Sequence, residues 1–219
     1  MSQLWRFYLP GDNRVFGYLI PATVSQMPWT SEFKLDESSQ TVSLEPEDGI
    51  DLAASSAAAM ARLLKAAQDL GSFPKLSNWP GEKFPVLGAP FPFAVDRAIS
   101  PYLSTGSQLT VFVCAENGSV AGIWVARRAT DKPTYASMLD NAVGGAVKHS
   151  EMPFECILRE ASEELRIDAA AAVPGGAISW FSIKGPRAGI GPGLLEPGVQ
   201  YVYDVEADAK SVPKQELIG

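Results

Sequence analysis

Hydrophobic and polar positions along this chain change rhythm near its middle. Before residue 105 the apolar runs are short. Residues 15–20 (VFGYLI) read as a strand, and Pro21 after them opens a turn and a short helix. Residues 33–35 and 41–44 alternate apolar with polar and are expected to pair as short strands. Residues 51–70 are Ala-rich and carry Met60, Leu63, Leu64, Ala67 and Leu70 on one stripe. That pattern predicts a helix stopped by Gly71. Residues 72–93, rich in Pro, are expected to be extended and irregular, with a helix following over 94–103. From Ser107 the apolar runs lengthen. Residues 109–114 and 120–126 predict two strands joined through Glu116-Asn117-Gly118-Ser119, and Asn-Gly marks a hairpin. Residues 177–184 and 199–206 read as further strands, with a glycine-rich loop over 185–198 between them.

One stretch does not fit a purely structural reading. Residues 144–167, GGAVKHSEMPFECILREASEELRI, read as a glycine loop and then a helix, with Pro153 in the first turn. At 100° per residue, Glu160, Glu163 and Glu164 fall within an arc of roughly 100°. Phe154, Leu158, Ala161 and Leu165 gather on another side and are expected to bury against a sheet. Like charges three and four residues apart cost about 0.2–0.5 kcal/mol per pair. A solvated acidic face tolerates that cost, but such faces usually intersperse Lys. Here the nearby bases are Arg159 and Arg166. Three carboxylates on one rigid face, under a glycine turn with free carbonyls, suit Mg²⁺ or Mn²⁺, hard cations that take oxygen ligands. The plainer alternative is an ordinary acidic helix face.

Composition narrows the functions. The 219 residues are 46% hydrophobic, enough for one substantial core or two small ones. A net charge of −7 argues against nucleic-acid polymer as the main partner. A negative protein that handles a negative small molecule needs a divalent metal or local basic groups. Arg127 and Arg128 end a predicted strand close to the glycine loop. Alternation lets only one of them face it, and solvated surface is the competing reading for both. Two cysteines do not make a disulfide framework, and no stretch approaches the length of a membrane span. Without a signal-like N-terminus, a reducing cytoplasm is the expected compartment.

The spacing of the acidic stretch resembles the Nudix box, G-x5-E-x7-R-E-U-x-E-E-x-G-U. Gly145, Glu151, Arg159-Glu160-Ala161, Glu163-Glu164 and Ile167 stand at its fixed positions, and Arg166 replaces the glycine that would end the helix in a left-handed turn. Either Arg166 takes that turn at a cost of about 1–2 kcal/mol, or the helix runs on and Arg166 leans towards Glu163. Further segments, among them Gly17-Tyr18-Leu19-Ile20-Pro21, Trp124-Val125-Ala126-Arg127-Arg128, Leu139-Asp140-Asn141 and Ala177-Ile178-Ser179-Trp180, are similar to the thiamine-pyrophosphokinase-related Nudix proteins of fungi and plants. This resemblance implies an α/β/α sandwich with a mixed sheet over residues 106–219, preceded by a small α+β domain over 1–105. It also implies that the chain is short of the last strand and helix of the sandwich. Glu160, Glu163 and Glu164 are then metal ligands, with the Gly144 carbonyl a further one, and Arg159 fixes a carboxylate rotamer. Gly145, Arg127 and Arg128 line the substrate, a small-molecule diphosphate. The implied reaction is hydrolysis of an oxidised thiamine diphosphate to the monophosphate. The alternatives are an oxidised guanine nucleoside diphosphate as substrate, or a catalytically weak binding module.

Overall fold

Apolar alternation builds the first sheet from strands too short to announce themselves. The computed structural model describes residues 4–47, 51–76, 81–103, 108–114, 125–132, 134–188 and 193–206. β1 (Trp5–Tyr8) pairs antiparallel with β2 (Gly17–Leu19) and parallel with β4 (Thr41–Leu44), and β4 pairs antiparallel with β3 (Phe33–Asp36). The order is β2-β1-β4-β3. β1 was not foreseen, because four residues carry only two beats of alternation. Its Phe7 is nonetheless fully buried in the hydrophobic core. The strand expected over 15–20 contracts to β2, and the short helix after it is α1 (Pro21–Gln26).

α2 (Leu52–Leu70) forms as its stripe predicts. Asp51 caps it by accepting the Ala54 N–H at 3.0 Å, and Gly71 ends it at φ 71°. Ala59, Met60, Leu63 and Ala67 are buried, whereas Leu70, the last residue of the stripe, is exposed. The helix expected over 94–103 is corrected. Residues 94–96 form β6 (Ala94–Asp96), which pairs with β5 (Lys83–Pro85), and only α3 (Ser100–Leu103) is helical. The Asp96 carboxylate accepts the Ala98 N–H at 2.8 Å, and that turn competes with helix at this point.

The second sheet has the order β10-β7-β12-β11. β7 (Gln108–Cys114) lies between β10 (Gly144–Ala146), antiparallel to it, and β12 (Leu195–Asp204), parallel to it; β11 (Val173–Ile183) lies beyond β12. The sheet is therefore mixed. A separate ladder joins β8 (Ala126–Arg127) to β9 (Leu139–Asp140). The Asn117-Gly118 hairpin and most of the strand expected over 120–126 lie outside the described residues.

α4 (Pro153–Leu165) packs on this sheet with Pro153 at its first position, and Glu155 accepts the Met152 N–H at 2.8 Å. Its buried face is Cys156, Ile157, Ala161 and Leu165. Phe154 stands 37% exposed and only edges towards the Tyr203 ring, 5.8 Å away, so it is not the core residue expected. Gly144 and Gly145 are strand rather than loop. A glycine pair carries no β signal of its own, and pairing with Val111 and Phe112 of β7 supplies what the sequence does not. Among the described residues of this region α4 is the one α-helix, so a second helical layer is not among them.

The chain divides into two compact units. One comprises Met1–Ser107 with Phe181–Pro186 and Ile190–Pro197, the other Gln108–Trp180 with Arg187–Gly189 and Gly198–Gly219. Each has its own core. Phe7, Leu19, Val42, Leu44 and Leu63 centre the first; Val143, Ile157, Ala161 and Tyr203 centre the second.

Candidate active site

Arg159 organises the acidic face. Its guanidinium forks onto Glu151, Nε to Oε1 at 2.7 Å and Nη2 to Oε2 at 2.9 Å, a bidentate pair that fixes both side chains. Nη1 reaches Glu160 at 2.7 Å and Glu163 at 3.4 Å, and Nη2 also meets the Ala146 carbonyl at 3.4 Å. One arginine thus holds three acids. The cost of leaving like charges on one helix face is met in this way. Glu151 also accepts the Lys148 N–H at 3.2 Å, which closes the turn ahead of the helix. The Arg159 guanidinium beside Glu151 holds its carboxyl below the usual range.

Glu164 is different. It accepts the Gly144 N–H at 3.3 Å, so helix and edge strand meet there. Burial pushes its carboxyl up, and the charges of Glu160 and Asp140 push it further, against the pull of Lys132. Glu160 lies flat against the strand. A Cβ on Gly145 would stand 1.9 Å from Glu160 Oε1, so only glycine leaves room for that carboxylate. Glu163 is the outlying acid of the three, with its side chain 53% exposed on the Arg159 side.

The structure therefore brings Glu160, Glu164, Gly144 and Gly145 together, with Arg159 and Glu151 behind them. The charge of Asp140, which sequence reasoning did not single out, also acts on Glu164. Its β8–β9 pairing sets its neighbours, and no local pattern announces that. Arg128 does not present a free guanidinium group, whereas Arg127 is exposed and held by one backbone carbonyl. Arg127 donates to the Ser137 carbonyl at 2.7 Å; Arg128 forks onto the Thr134 carbonyl and hydroxyl and pairs with Asp140 at 2.6 Å. His149 is exposed on the turn before α4. Trp29 donates to the Val24 carbonyl within its own core, Trp180 lies against Gly198, and Trp79 is outside the described residues. Asp204 and Glu206 are exposed.

A divalent cation can be tested against this donor set. The donors are all oxygen, and Glu160 and Asp140 add negative charge at Glu164, which a hard cation would offset. Yet among the described residues no three acids, histidines or cysteines converge in a metal-holding group, because Arg159 draws Glu160 and Glu163 towards itself. The chemistry of the donors fits; the cage is open.

α4 ends at Leu165. Arg166 takes the left-handed conformation, φ 57° and ψ 35°, its N–H returning to the Ser162 carbonyl while the Ile167 N–H returns to Ala161. Of the two outcomes open to the sequence, the strained turn is the one adopted. The helix does not run on past Leu165.

Residues 106–212 match the family profile described as NUDIX domain. Over 221 aligned residues the chain is 24% identical to an uncharacterized protein of Saccharomyces cerevisiae, covering 93% of this chain and 64% of that one. It is 28% identical to Nudix hydrolase 24, chloroplastic, of Arabidopsis thaliana over 71% of this chain and 42% of that protein. It is 32% identical to a Nudix hydrolase of Deinococcus radiodurans over 41% of this chain and 47% of that protein. The chain thus spans between 42% and 64% of the length of these relatives. A crystal structure of a D. radiodurans protein aligns with a TM-score of 0.37 at 26% identity, over 49% of this chain and 60% of that one. Among the described residues no helix is long and apolar enough to cross a membrane.

Proposed function

We propose that this protein hydrolyses the diphosphate of a small molecule with the help of Mg²⁺ or Mn²⁺, in a domain over residues 106–219 that follows a separate domain over 1–105. The observation that carries this reading is the pairing of a Nudix domain match with the acids gathered at one strand edge, where Glu164 is held up by burial and by Glu160 and Asp140. Glu160 and Glu164 would hold the cation, with Gly144 beside them and Glu163 joining once it leaves Arg159. The cation, when bound, would neutralise phosphate charge and acidify a water molecule. Arg159 keeps Glu160 against the strand and Glu151 braces the turn. Gly145 leaves the space. A carboxylate freed of its ion pair is the group that takes a proton from the attacking water. Resemblance to thiamine-pyrophosphokinase-related proteins favours an oxidised thiamine diphosphate as substrate, with an oxidised guanine nucleoside diphosphate as the competing choice.

A second reading rests on a specific observation: Arg159 occupies two of the three glutamates, which suits a module that binds diphosphate without turning it over. Phosphate release from oxidised thiamine diphosphate and from 8-oxo-dGDP, with and without Mg²⁺, separates the readings. Mg²⁺-dependent release that falls at least a hundredfold in Glu164→Gln and in Glu163→Gln supports the hydrolase. Diphosphate binding with no release from either substrate would favour the module.

A further inference from the structure

Among the described residues, every edge of the two four-stranded sheets is short except one. β2 and β10 end their sheets with three residues each, and β3 ends its sheet with four, two of them the charged Lys34 and Asp36. Short or charged edges offer little to a neighbouring strand. β11, at the remaining edge, runs for eleven residues and carries no charged side chain. Ten of the eleven are exposed, so both of its faces meet solvent.

The two halves of β11 differ. Pro174 lacks a donor N–H and Gly176 turns to φ 115°, and both features spoil pairing along an edge. From Ala177 to Ile183 the chain reads AISWFSI, with no Pro, Gly or charge and four strong strand formers. Trp180 is the one partly buried residue of the strand. Its ring fills the space over Gly198 of β12, where a Cβ would meet it at 2.1 Å, and this pins the second half to the sheet. Ile178, Phe181 and Ile183 stand 59%, 49% and 67% exposed. A fixed, apolar edge without such interruptions is a template for another strand.

Charge says which strand. The chain carries −7, so two copies repel wherever their acids meet, yet residues 169–183 hold no charged side chain. A strand that pairs with its own copy about a two-fold axis must not set like charges opposite each other. A strand that took an acidic or a basic peptide would carry the opposite sign. β11 carries neither.

We infer that β11 pairs antiparallel with β11 of a second copy through residues 177–183, making the protein a two-fold dimer. This pairing does not depend on the diphosphate chemistry. Seven residues a side fall well below the roughly 20–30 of a standard interface, so the dimer is a weak one, with Kd on the order of 10–100 µM.

Sedimentation equilibrium of the full chain from about 5 to 500 µM brackets that Kd. A monomer–dimer equilibrium is expected, tightening a few-fold as salt rises from about 0.03 to 0.3 M, because screening relieves the repulsion between two chains of −7. Ile178→Lys and Ile183→Lys set like charges along the shared edge. Each is expected to weaken association about tenfold or more at an unchanged thermal midpoint, since both positions are exposed. Leu70→Lys, the same change of charge at an exposed position of α2, should dimerise as the parent does. A parent that stays monomeric throughout overturns the inference and leaves this edge to a different chain. Dimerisation that survives both β11 lysines, or equal weakening by Leu70→Lys, overturns it too. So does growth beyond two copies, because pairing β11 with β11 uses up the one long edge described.

Discussion

Cys156 shows what one turn of helix does to a reactive side chain. It is fully buried, and burial, with the Glu151 charge nearby, pushes its thiol up to about 12. Thiolate is the nucleophile, so Cys156 is expected to resist iodoacetamide at pH 8 in the native chain and to react within minutes in denaturant. Peptide mapping of the labelled site reads this directly, and rapid native labelling of Cys156 would contradict the burial. Arg166 is the opposite case, an exposed side chain whose backbone is at fault. A left-handed L-residue costs about 1–2 kcal/mol, and glycine returns part of that gain to the unfolded chain. Arg166→Gly is therefore expected to stabilise by about 0.5–1 kcal/mol. It should appear as a higher urea midpoint at unchanged slope, and a lower midpoint would mean that the arginine contacts outweigh the strain.

Two glycines separate the elements that build the site from those that only support it. A Cβ at Gly145 would meet Glu160 at its carboxylate end, which can swing aside; a Cβ at Gly198 would meet the Trp180 ring at 2.1 Å, which cannot. Gly145→Ala is expected to leave stability within about 0.5 kcal/mol while Mg²⁺-dependent activity falls. Gly198→Ala is expected to cost about 1–3 kcal/mol by overpacking. Thermal unfolding measured beside phosphate release distinguishes the two, and equal loss of stability in both would refute the distinction. The same elements show what sequence alone conveys. α4 was legible because Pro153 and a 3.6-residue period agree, and α2 because an Asp51 cap and Gly71 bracket its stripe. β10 was not, since two glycines state no preference and only the register against β7 makes them strand. Asp140 stayed hidden for a related reason: the β8–β9 pairing sets its neighbours, and pairing across many residues leaves no local trace. The direction of Arg127 and Arg128 was equally beyond reach, because alternation says which faces differ and not what waits on each.

For the whole molecule the unresolved charge at Glu164 sets a pH signature. An acid whose folded pKa is raised contributes stability that is present below its unfolded pKa and is lost as pH rises through the raised value. The parent chain without metal should therefore fall behind Glu164→Gln as pH climbs through and above the carboxylate range, and the two should converge in acid. Glu151 works against this trend, because its lowered pKa contributes stability that is lost as pH falls. Glu151 is common to both chains, so the difference between them isolates Glu164. Mg²⁺ should reverse the order at neutral pH. A ligand that binds only the folded state at about a hundred times its dissociation constant adds about 2.7 kcal/mol, and the variant without the half-buried acid should gain much less. Melting curves of both chains at pH 4.5 and 7.5, with and without Mg²⁺, read all four corners. A cation-induced rise of equal size in parent and variant would place the ion elsewhere and remove Glu164 from the chemistry.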